Sequence, residues 1–401
     1  MVDTEAARTI GMRVWRVRDD RGKSLQVVAD LAGMSLTTLW RIENGKRAIA
    51  NQSEAIALAN ALDIPPSELI RLPVPAPANG PTDSRIEAVR RALRDVGHGR
   101  PGGQVLPMNV LRTRMVTTVE AHCRCDQARE VGAALPGLIR NLYTSIAAGR
   151  DVAELLELAV LLHVEATIGW LRVAGAPIDL REQAVLLARK SAEELDTPAA
   201  LGLATWGGIH VMLADGATNL AQAELDALTV PTTSSELTQL AGMLGLCHSL
   251  VAAIDGRSAD ASSALYYAAE LAEHTGEGNA YWMGFGPTNV GCWRMHAALE
   301  VGDHDRAVAV AEGLNPEVHP HRGSQALYWT DYGRALNRVR GRHLEAVTAL
   351  RRAELISAHQ VQRDPIAREV IAEMLPRTRR DSPAGQELRG MADRAGLLPP
   401  L

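Results

Sequence analysis

The stretch at residues 24–47, SLQVVADLAGMSLTTLWRIENGKR, most constrains what this chain can fold into, because its small and apolar residues have the spacing of two crossing helices. Ala29 stands where only a small side chain lets the helices approach, and Gly33 stands four residues later, where the turn needs a positive φ. Leu39 and Ile42 recur at helical spacing and are expected to hold the second helix against the first. The pattern therefore predicts a helix-turn-helix.

The other face of the second helix carries side chains that we expect to stay uncovered. Ser35 is a good N-cap, because its hydroxyl can accept from an N–H at the helix start. Arg41 carries forked donors that match O6 and N7 of guanine, while Leu36 and Thr37 can touch a thymine methyl group. This face is therefore predicted to read bases in the major groove of double-stranded DNA.

Asn44-Gly45-Lys46-Arg47 follows this helix, and Gly45 is expected to end it. Cations just beyond a helix end fix the register on the phosphate backbone without reading the sequence. Thr38 is a further candidate for a phosphate contact. The predicted DNA-binding residues are Ser35, Leu36, Thr37, Thr38, Trp40, Arg41, Asn44, Lys46 and Arg47.

Residues 9–72 resemble the Cro-type, or XRE-family, helix-turn-helix of phage repressors and bacterial regulators. The resemblance implies a five-helix domain that binds double-stranded DNA, and an ordinary αα-hairpin is the alternative. The chain departs from the family at Leu25, where a glutamine often makes a phosphate contact. The matching residues are Ile10-Gly11, Ala29, Gly33, Ser35, Leu39, Ile42-Glu43 and Asn44-Gly45-Lys46.

The charge of the chain is unevenly distributed. Its net charge of −5 does not by itself indicate a nucleic-acid binder. Residues 1–100, however, carry 15 Lys and Arg against 12 Asp and Glu, whereas the remainder carries 27 against 35. The first part is therefore basic, as contact with a phosphate backbone requires, and the rest is acidic.

The cysteine content and the apolar runs indicate the compartment. The chain has 4 cysteines, which are too scattered for a disulfide framework and fit a reducing cytoplasm. No apolar run approaches the roughly 20 residues that span a bilayer, and the first ten residues lack the features of a signal peptide. We therefore expect a cytoplasmic protein without membrane contact.

The chain beyond the first domain divides by composition and by repeats. Residues 73–107 are predicted to be a linker with one amphipathic helix, and residues 376–401 a C-terminal tail. Between them, residues 108–375 show no series of strands. The segment GDHDRAV at 302–308 is echoed by GRHLEAV at 341–347, an offset of 39 residues.

This pair resembles the tetratricopeptide repeat, in which the period is about 34 residues. The resemblance implies five or six helical hairpins stacked into an α-solenoid. The combined layout resembles a group of actinobacterial XRE regulators with tetratricopeptide-like bodies. We therefore predict an all-α protein with a five-helix head, a linker and an α-solenoid body.

No catalytic constellation is present. His122-Cys123-Arg124-Cys125 lacks the four ligands and the spacing of a zinc site, so packed cysteines are expected. There is no phosphate-binding GKS or GKT loop and no nucleophile elbow. We therefore expect no enzyme activity, no cofactor and no metal.

Aromatic residues are concentrated in the body, where nine of 14 lie between residues 266 and 332. Internal packing is one interpretation, and an effector pocket formed where two hairpins meet is the other. The predicted effector-binding residues are Tyr281, Trp282, Phe285, Asn289, Trp293, Trp329 and Tyr332.

The sequence thus predicts a DNA-binding transcriptional regulator. One head offers a single recognition helix and few contacts, so a homodimer on an inverted repeat is expected. The body is predicted to dimerise and to sense a peptide or a small molecule. The alternative is a solenoid scaffold for protein partners with a degenerate head that does not bind DNA.

Overall fold

The computed structural model describes residues 8–70, 80–125 and 128–397. Every regular element in these ranges is a helix, and none of the described residues forms a strand. The all-α prediction is therefore confirmed. Residues 73–79 of the predicted linker and residues 398–401 of the predicted tail lie outside the described ranges.

The first unit, called the head below, contains five helices within residues 8–70. They enclose one apolar core, to which Val14, Val28, Leu39 and Leu58 contribute fully buried side chains. Asn51 caps the fourth helix by accepting from the Glu54 amide at 2.8 Å. The helices are α1 (Arg8–Asp20), α2 (Leu25–Leu31), α3 (Leu36–Glu43), α4 (Gln52–Ala61) and α5 (Pro66–Leu69).

The remaining helices form the body. A π-helical segment, Leu162–Ile168, joins two of them, and single 3₁₀ turns lie at Ala280–Trp282, Pro316–Val318 and Leu375–Arg377. The helices are α6 (Gly80–Gly97), α7 (Met108–Arg124), α8 (Ala128–Ala147), α9 (Val152–Leu161), α10 (Gly169–Ala174), α11 (Ile178–Leu195), α12 (Pro198–Ala214), α13 (Thr218–Asp226), α14 (Ser235–Ile254), α15 (Ser258–Thr275), α16 (Pro287–Glu300), α17 (His304–Glu312), α18 (Arg322–Arg338), α19 (His343–Ile356), α20 (Ala358–Arg363), α21 (Pro365–Met374) and α22 (Pro383–Arg394).

Helices of the body pack as hairpins against their neighbours in the chain. The strongest pairs are α14 with α15 and α18 with α19, followed by α11 with α12 and α16 with α17. Gly302 and Gly341 start two of the turns at φ values of 77° and 85°, which favour glycine. Ala307 and Ala346 are fully buried where the paired helices touch. The sequence pair at an offset of 39 therefore marks two real hairpins.

The predicted linker differs from the structure. Helix α6 packs against α8, and Ile86, Val89 and Leu93 are buried in the first core of the body. The glycine-rich segment after α6 is also held in place, since the Gly103 amide donates to Thr144 Oγ1 and the Gln104 amide to Asn141 Oδ1. Helix α6 and the segment that follows it are therefore held against α8.

Helix α14 corrects the prediction that no apolar run is long enough to cross a membrane. It has 20 residues, and its composition and length would allow a membrane span. In the fold, however, 83% of its apolar window is buried inside the protein. Helix α14 is thus largely buried in the core of the body.

The crossing of α1 and α3 depends on a glycine. A Cβ atom added at Gly11 would lie 2.1 Å from the Ile42 carbonyl oxygen. We predict that Gly11→Ala destabilises the head by about 1–3 kcal/mol, because a backbone atom cannot move aside as a side chain can. Thermal unfolding and amide hydrogen exchange in α1 and α3 measure the effect.

Gly137→Ala is the matched control. Gly137 is an exposed residue inside α8, and an added Cβ would meet no atom within 4 Å. This variant should be more stable by up to about 1 kcal/mol, since alanine favours the helix. Equal stability of the two variants would contradict the close approach at Gly11.

Candidate DNA-binding interface

The turn between α2 and α3 has the predicted geometry. Gly33 adopts a φ of 64°, and Ala29 is fully buried at the helix crossing. Ser35 Oγ accepts from the Thr38 amide at 3.1 Å, which caps α3. Leu39 and Ile42 are buried and hold α3 against the core of the head. The helix-turn-helix that the sequence predicts is confirmed.

The opposite face of α3 is open to solvent. Leu36 and Trp40 are each 43% exposed, and Thr37 and Arg41 are exposed as well. Arg41 forms no hydrogen bond or ion pair within the described part of the chain. All donors of its guanidinium group are therefore available to a ligand, as base reading requires.

The segment after α3 arranges two of the predicted contact residues. Asn44 Nδ2 donates to the Trp40 carbonyl at 2.8 Å, and the Lys46 ammonium lies 4.3 Å from the centroid of the Trp40 ring. Such a cation over an indole ring contributes about 0.5–1 kcal/mol at an exposed site. Trp40 therefore holds Lys46 beside the reading face.

Arg47 differs from the other predicted DNA-binding residues. Its guanidinium group pairs with both carboxylate oxygens of Glu54, at 2.5 and 3.2 Å, and is only partly exposed. Glu54 also accepts from the Ala50 amide at 2.8 Å. Arg47 therefore ties the segment after α3 to α4, and a phosphate would have to compete with Glu54. Thr38 is similarly engaged, since its hydroxyl lies 2.9 Å from Ser35 Oγ.

A buried ion pair that the sequence did not reveal fixes the end of α3. Arg18 Nε and Nη2 donate to the two carboxylate oxygens of Glu43, at 2.6 and 3.0 Å. The hydrogen bond to Glu43 raises the pKa of Arg18 above its ordinary value. The pair joins α1 to the last turn of α3, so the angle of the recognition helix is held by a charged contact as well as by the core.

The body caps the start of α4. Glu300, at the end of α16, accepts from the Gln52 amide at 3.2 Å, the Ser53 amide at 2.9 Å and the Ser53 hydroxyl at 2.8 Å. Asn51 Nδ2 in turn donates to the Leu299 and Glu300 carbonyls, both at 3.1 Å. A carboxylate of the body therefore satisfies amides at the positive end of a helix in the head.

Two arginines of α18 hold the segment before α4. Arg334 Nη2 donates to the Ala50 carbonyl at 2.9 Å, and Arg338 Nη2 donates to the Ala48 carbonyl at 3.2 Å. Arg334 is itself paired with Asp331 at 2.5 Å, and His296 Nδ1 lies 2.8 Å from the other oxygen of Asp331. Burial lowers the pKa of His296, but the nearby carboxylates of Asp331 and Glu300 raise it above its ordinary value.

A third contact lies at the turn between α12 and α13. Gln52 Nε2 donates to the Leu213 carbonyl at 2.6 Å, and Ser67 Oγ donates to Asp215 Oδ1 at 2.9 Å. The head is thus held by α12, α16 and α18, which belong to three different hairpins of the body. None of these contacts involves the exposed face of α3.

The predicted effector residues do not form one site. Phe285 is fully buried, and Asn289 is 5% exposed with Nδ2 directed at Met243 Sδ, so both belong to the core. The other five are divided among three cores: Trp282 packs on the first, Tyr281 and Trp293 on the middle one, and Trp329 and Tyr332 on the last.

Local packing separates these residues. Trp329 and Tyr332 pack on the last core, Tyr281 and Trp293 on the middle core, and Trp282 reaches back to the first core, so these rings are buried against different neighbours. The segment at residues 284–289 is also closed, because the Gly284 amide donates to Asn279 Oδ1 and the Thr288 amide donates to Glu277 Oε1. These two backbone amides are therefore paired within the protein.

The head resembles a known domain family. A helix-turn-helix domain family matches residues 9–72. The chain therefore carries a helix-turn-helix domain, a fold that binds DNA through its second motif helix. Comparison with curated proteins and with solved structures gave no match.

The roles of Arg41 and Lys46 can be separated by mutation. Arg41→Ala is expected to relax sequence preference at one base pair, at a cost of about 1–3 kcal/mol, because its donors are free for a base edge. Lys46→Ala is expected to weaken binding to all DNA alike and to reduce the salt slope by about 1. Binding to a selected site and to random DNA over a salt series measures both effects.

Arg114→Ala is the control, since Arg114 is an exposed and unpaired arginine of α7 within the described residues. It should change neither quantity. An unaltered preferred site in the Arg41 variant would show that another residue reads that base pair.

Proposed function

We propose that this protein is a sequence-specific transcriptional regulator of the XRE, Cro-type class with a tetratricopeptide-like body. The observation that carries the proposal is the exposed face of α3. Arg41 on that face has no partner among the described residues, while the polar contacts of the head with the body lie on other elements. The head is therefore anchored in a way that leaves its reading face available to double-stranded DNA.

The regulator acts as a homodimer in this proposal. A single head presents one recognition helix, and genomic search requires more contacts than one such helix makes. The long helical body offers the surface for dimerisation. Two heads would then read an inverted repeat whose half-sites lie about 34–36 Å apart, or a multiple of that distance.

The body also senses a peptide or small-molecule effector. The support is the set of contacts between body and head, because three hairpin ends hold α4 and the segment that precedes it. An effector that favours one arrangement of the hairpins would move the heads. A coupling of about 1–3 kcal/mol would change DNA affinity roughly 5- to 150-fold.

We further propose a cytoplasmic protein without enzyme activity. None of the four cysteines forms a disulfide, which fits a reducing compartment. Both carboxylates that lie close to α3, Glu43 and Glu54, are engaged in structural pairs, with Arg18 and Arg47 respectively. A regulator that binds DNA requires no further chemistry there.

Site selection from random DNA tests the proposal. We expect an inverted repeat, and sedimentation should give a dimer both free and bound, because two heads must bind together. A monomer at micromolar concentration on and off DNA would contradict the dimer. A protein that shifts no DNA would favour the scaffold alternative, for which the exposed apolar side chains Val27, Leu31, Leu36 and Trp40 are the supporting observation.

The capping carboxylate provides a test of the coupling between body and head. Glu300→Gln keeps the size of the side chain but removes the charge that accepts from Gln52 and Ser53. We expect docking of the head to weaken by about 1–3 kcal/mol, since hydrogen bonds to a charged group are lost. Faster hydrogen exchange of the Ser53 amide and an altered DNA affinity measure it.

Glu157→Gln is the matched control, because Glu157 is exposed on α9 and has no ion pair among the described residues. It should leave the exchange rate and the DNA affinity unchanged. If Glu300→Gln exposed the Ser53 amide without changing DNA affinity, docking of the head would have no role in regulation.

A further inference from the structure

Four titratable side chains meet where the body holds the head. Glu300, Asp331 and Arg334 are buried almost completely, and His296 contacts both carboxylates. Arg334 is the buried arginine of this group and pairs with Asp331 at 2.5 Å. Two buried carboxylates and one arginine leave a net negative charge unless His296 is protonated, and an uncompensated buried charge is costly.

The imidazole ring of His296 bridges the two carboxylates. Its Nδ1 lies 2.8 Å from Asp331 Oδ2, and its Nε2 lies 3.8 Å from Glu300 Oε1. A neutral imidazole has one N–H donor, whereas an imidazolium has a donor on each nitrogen. Only the protonated ring can therefore attract both carboxylates at once. The side chain is 23% exposed, so it can exchange its proton with water.

Each of the two carboxylates holds the head through a different contact. Glu300 accepts from the Ser53 amide and hydroxyl at the start of α4. Asp331 pairs with Arg334, and Arg334 Nη2 donates to the Ala50 carbonyl in the segment before α4. The charge of a single imidazole ring therefore acts on both contacts.

We propose that His296 is a pH-sensitive switch, which holds the head against the body while its ring is protonated and loosens the head when its ring is neutral. Loss of the proton removes the positive charge that lies between Glu300 and Asp331. The two carboxylates are then buried with the single charge of Arg334 to balance them. The cap of α4 and the contact with the segment before it weaken together.

The groups that face His296 determine the direction of the effect. Burial lowers its pKa, but the carboxylates of Asp331 and Glu300 raise it above its ordinary value, against the opposing charge of Arg334. Desolvation lowers the pKa of His210 on α12 to about 4, so that ring stays neutral near neutral pH. Because the pKa of His296 is higher in the docked state, the stabilisation is fully present below about pH 6.5, the ordinary histidine value, and is lost as the pH rises through the raised pKa.

The test measures hydrogen exchange of the Ser53 amide in the full chain without DNA. This amide lies in the first turn of α4 and donates to Glu300, so its protection reports the docking of the head. Protection is expressed relative to an unstructured peptide at the same pH, which removes the intrinsic pH dependence of exchange. We expect the protection factor to fall roughly tenfold or more between about pH 6 and pH 9, because hydrogen bonds and ion pairs of a charged group are lost. His296→Gln should give low protection at every pH, without this fall.

Two control variants should keep the pH dependence of the wild-type chain. His274→Gln changes an exposed histidine in the last turn of α15. Glu369→Gln removes the titration of a buried carboxyl group on α21, since burial raises the pKa of Glu369 to about 8. This variant separates any contribution of Glu369 from that of His296.

A second measurement uses the wild-type chain and does not depend on the folding of a variant. The chemical shifts of the His296 ring protons, followed over the same pH range by NMR, should give a pKa above that of histidine in an unstructured peptide. The physical reason is that the docked ring contacts two carboxylates.

A protection factor of the Ser53 amide that does not change with pH would overturn the proposal. An equal fall in His296→Gln and in the wild-type chain would do the same, as would a His296 pKa at or below that of the unstructured peptide. The step from docking to DNA affinity rests on the proposed regulatory function. A protein that shifts no DNA would refute that function and leave these measurements unaffected.

Discussion

The position of the head depends on a carboxylate of the body at the start of α4. The first amides of a helix have no partner within the helix and carry partial positive charge, so a buried anion there is strongly favoured. Glu300 is only 4% exposed and accepts from two of these amides. From α4 the constraint passes through Glu54 to Arg47, and from there to the segment that ends α3. One capping contact thus connects the body to the recognition helix.

The buried charges of the body differ in how completely they are paired. Glu354 accepts from Arg351 and Arg394, and Asp331 pairs with Arg334 and His296. In such networks, Coulomb attraction and hydrogen bonds offset the free-energy cost of removing the charges from water. Glu165 Oε1 and Arg181 Nε are buried as well, but neither atom has a hydrogen-bond partner among the described residues. The pairing of buried charges is therefore uneven across the described part of the body.

Local features of this fold could be predicted from the sequence, and distant contacts could not. Ser35, Gly33 and Leu39 act within one turn or one helix crossing, so their spacing in the sequence is enough to predict the helix-turn-helix. Glu300 caps residues that precede it by about 250 positions, and no periodicity links the two. The aromatic residues were not brought together for a related reason. Composition shows where aromatic residues are frequent, whereas the stacking of hairpins decides which rings share a core.

The docked position of the head limits what the body can control. The residues at the start of α3, from Ser35 to Trp40, have no polar contact with the body within the described ranges. The segment that follows α3 is different, since the carbonyls of Ala48 and Ala50 accept from Arg338 and Arg334. Base reading is performed mainly by the start of a recognition helix, while groups beyond its end fix the register on phosphates. We infer that a change in the body alters the affinity for DNA more than the preference for a sequence.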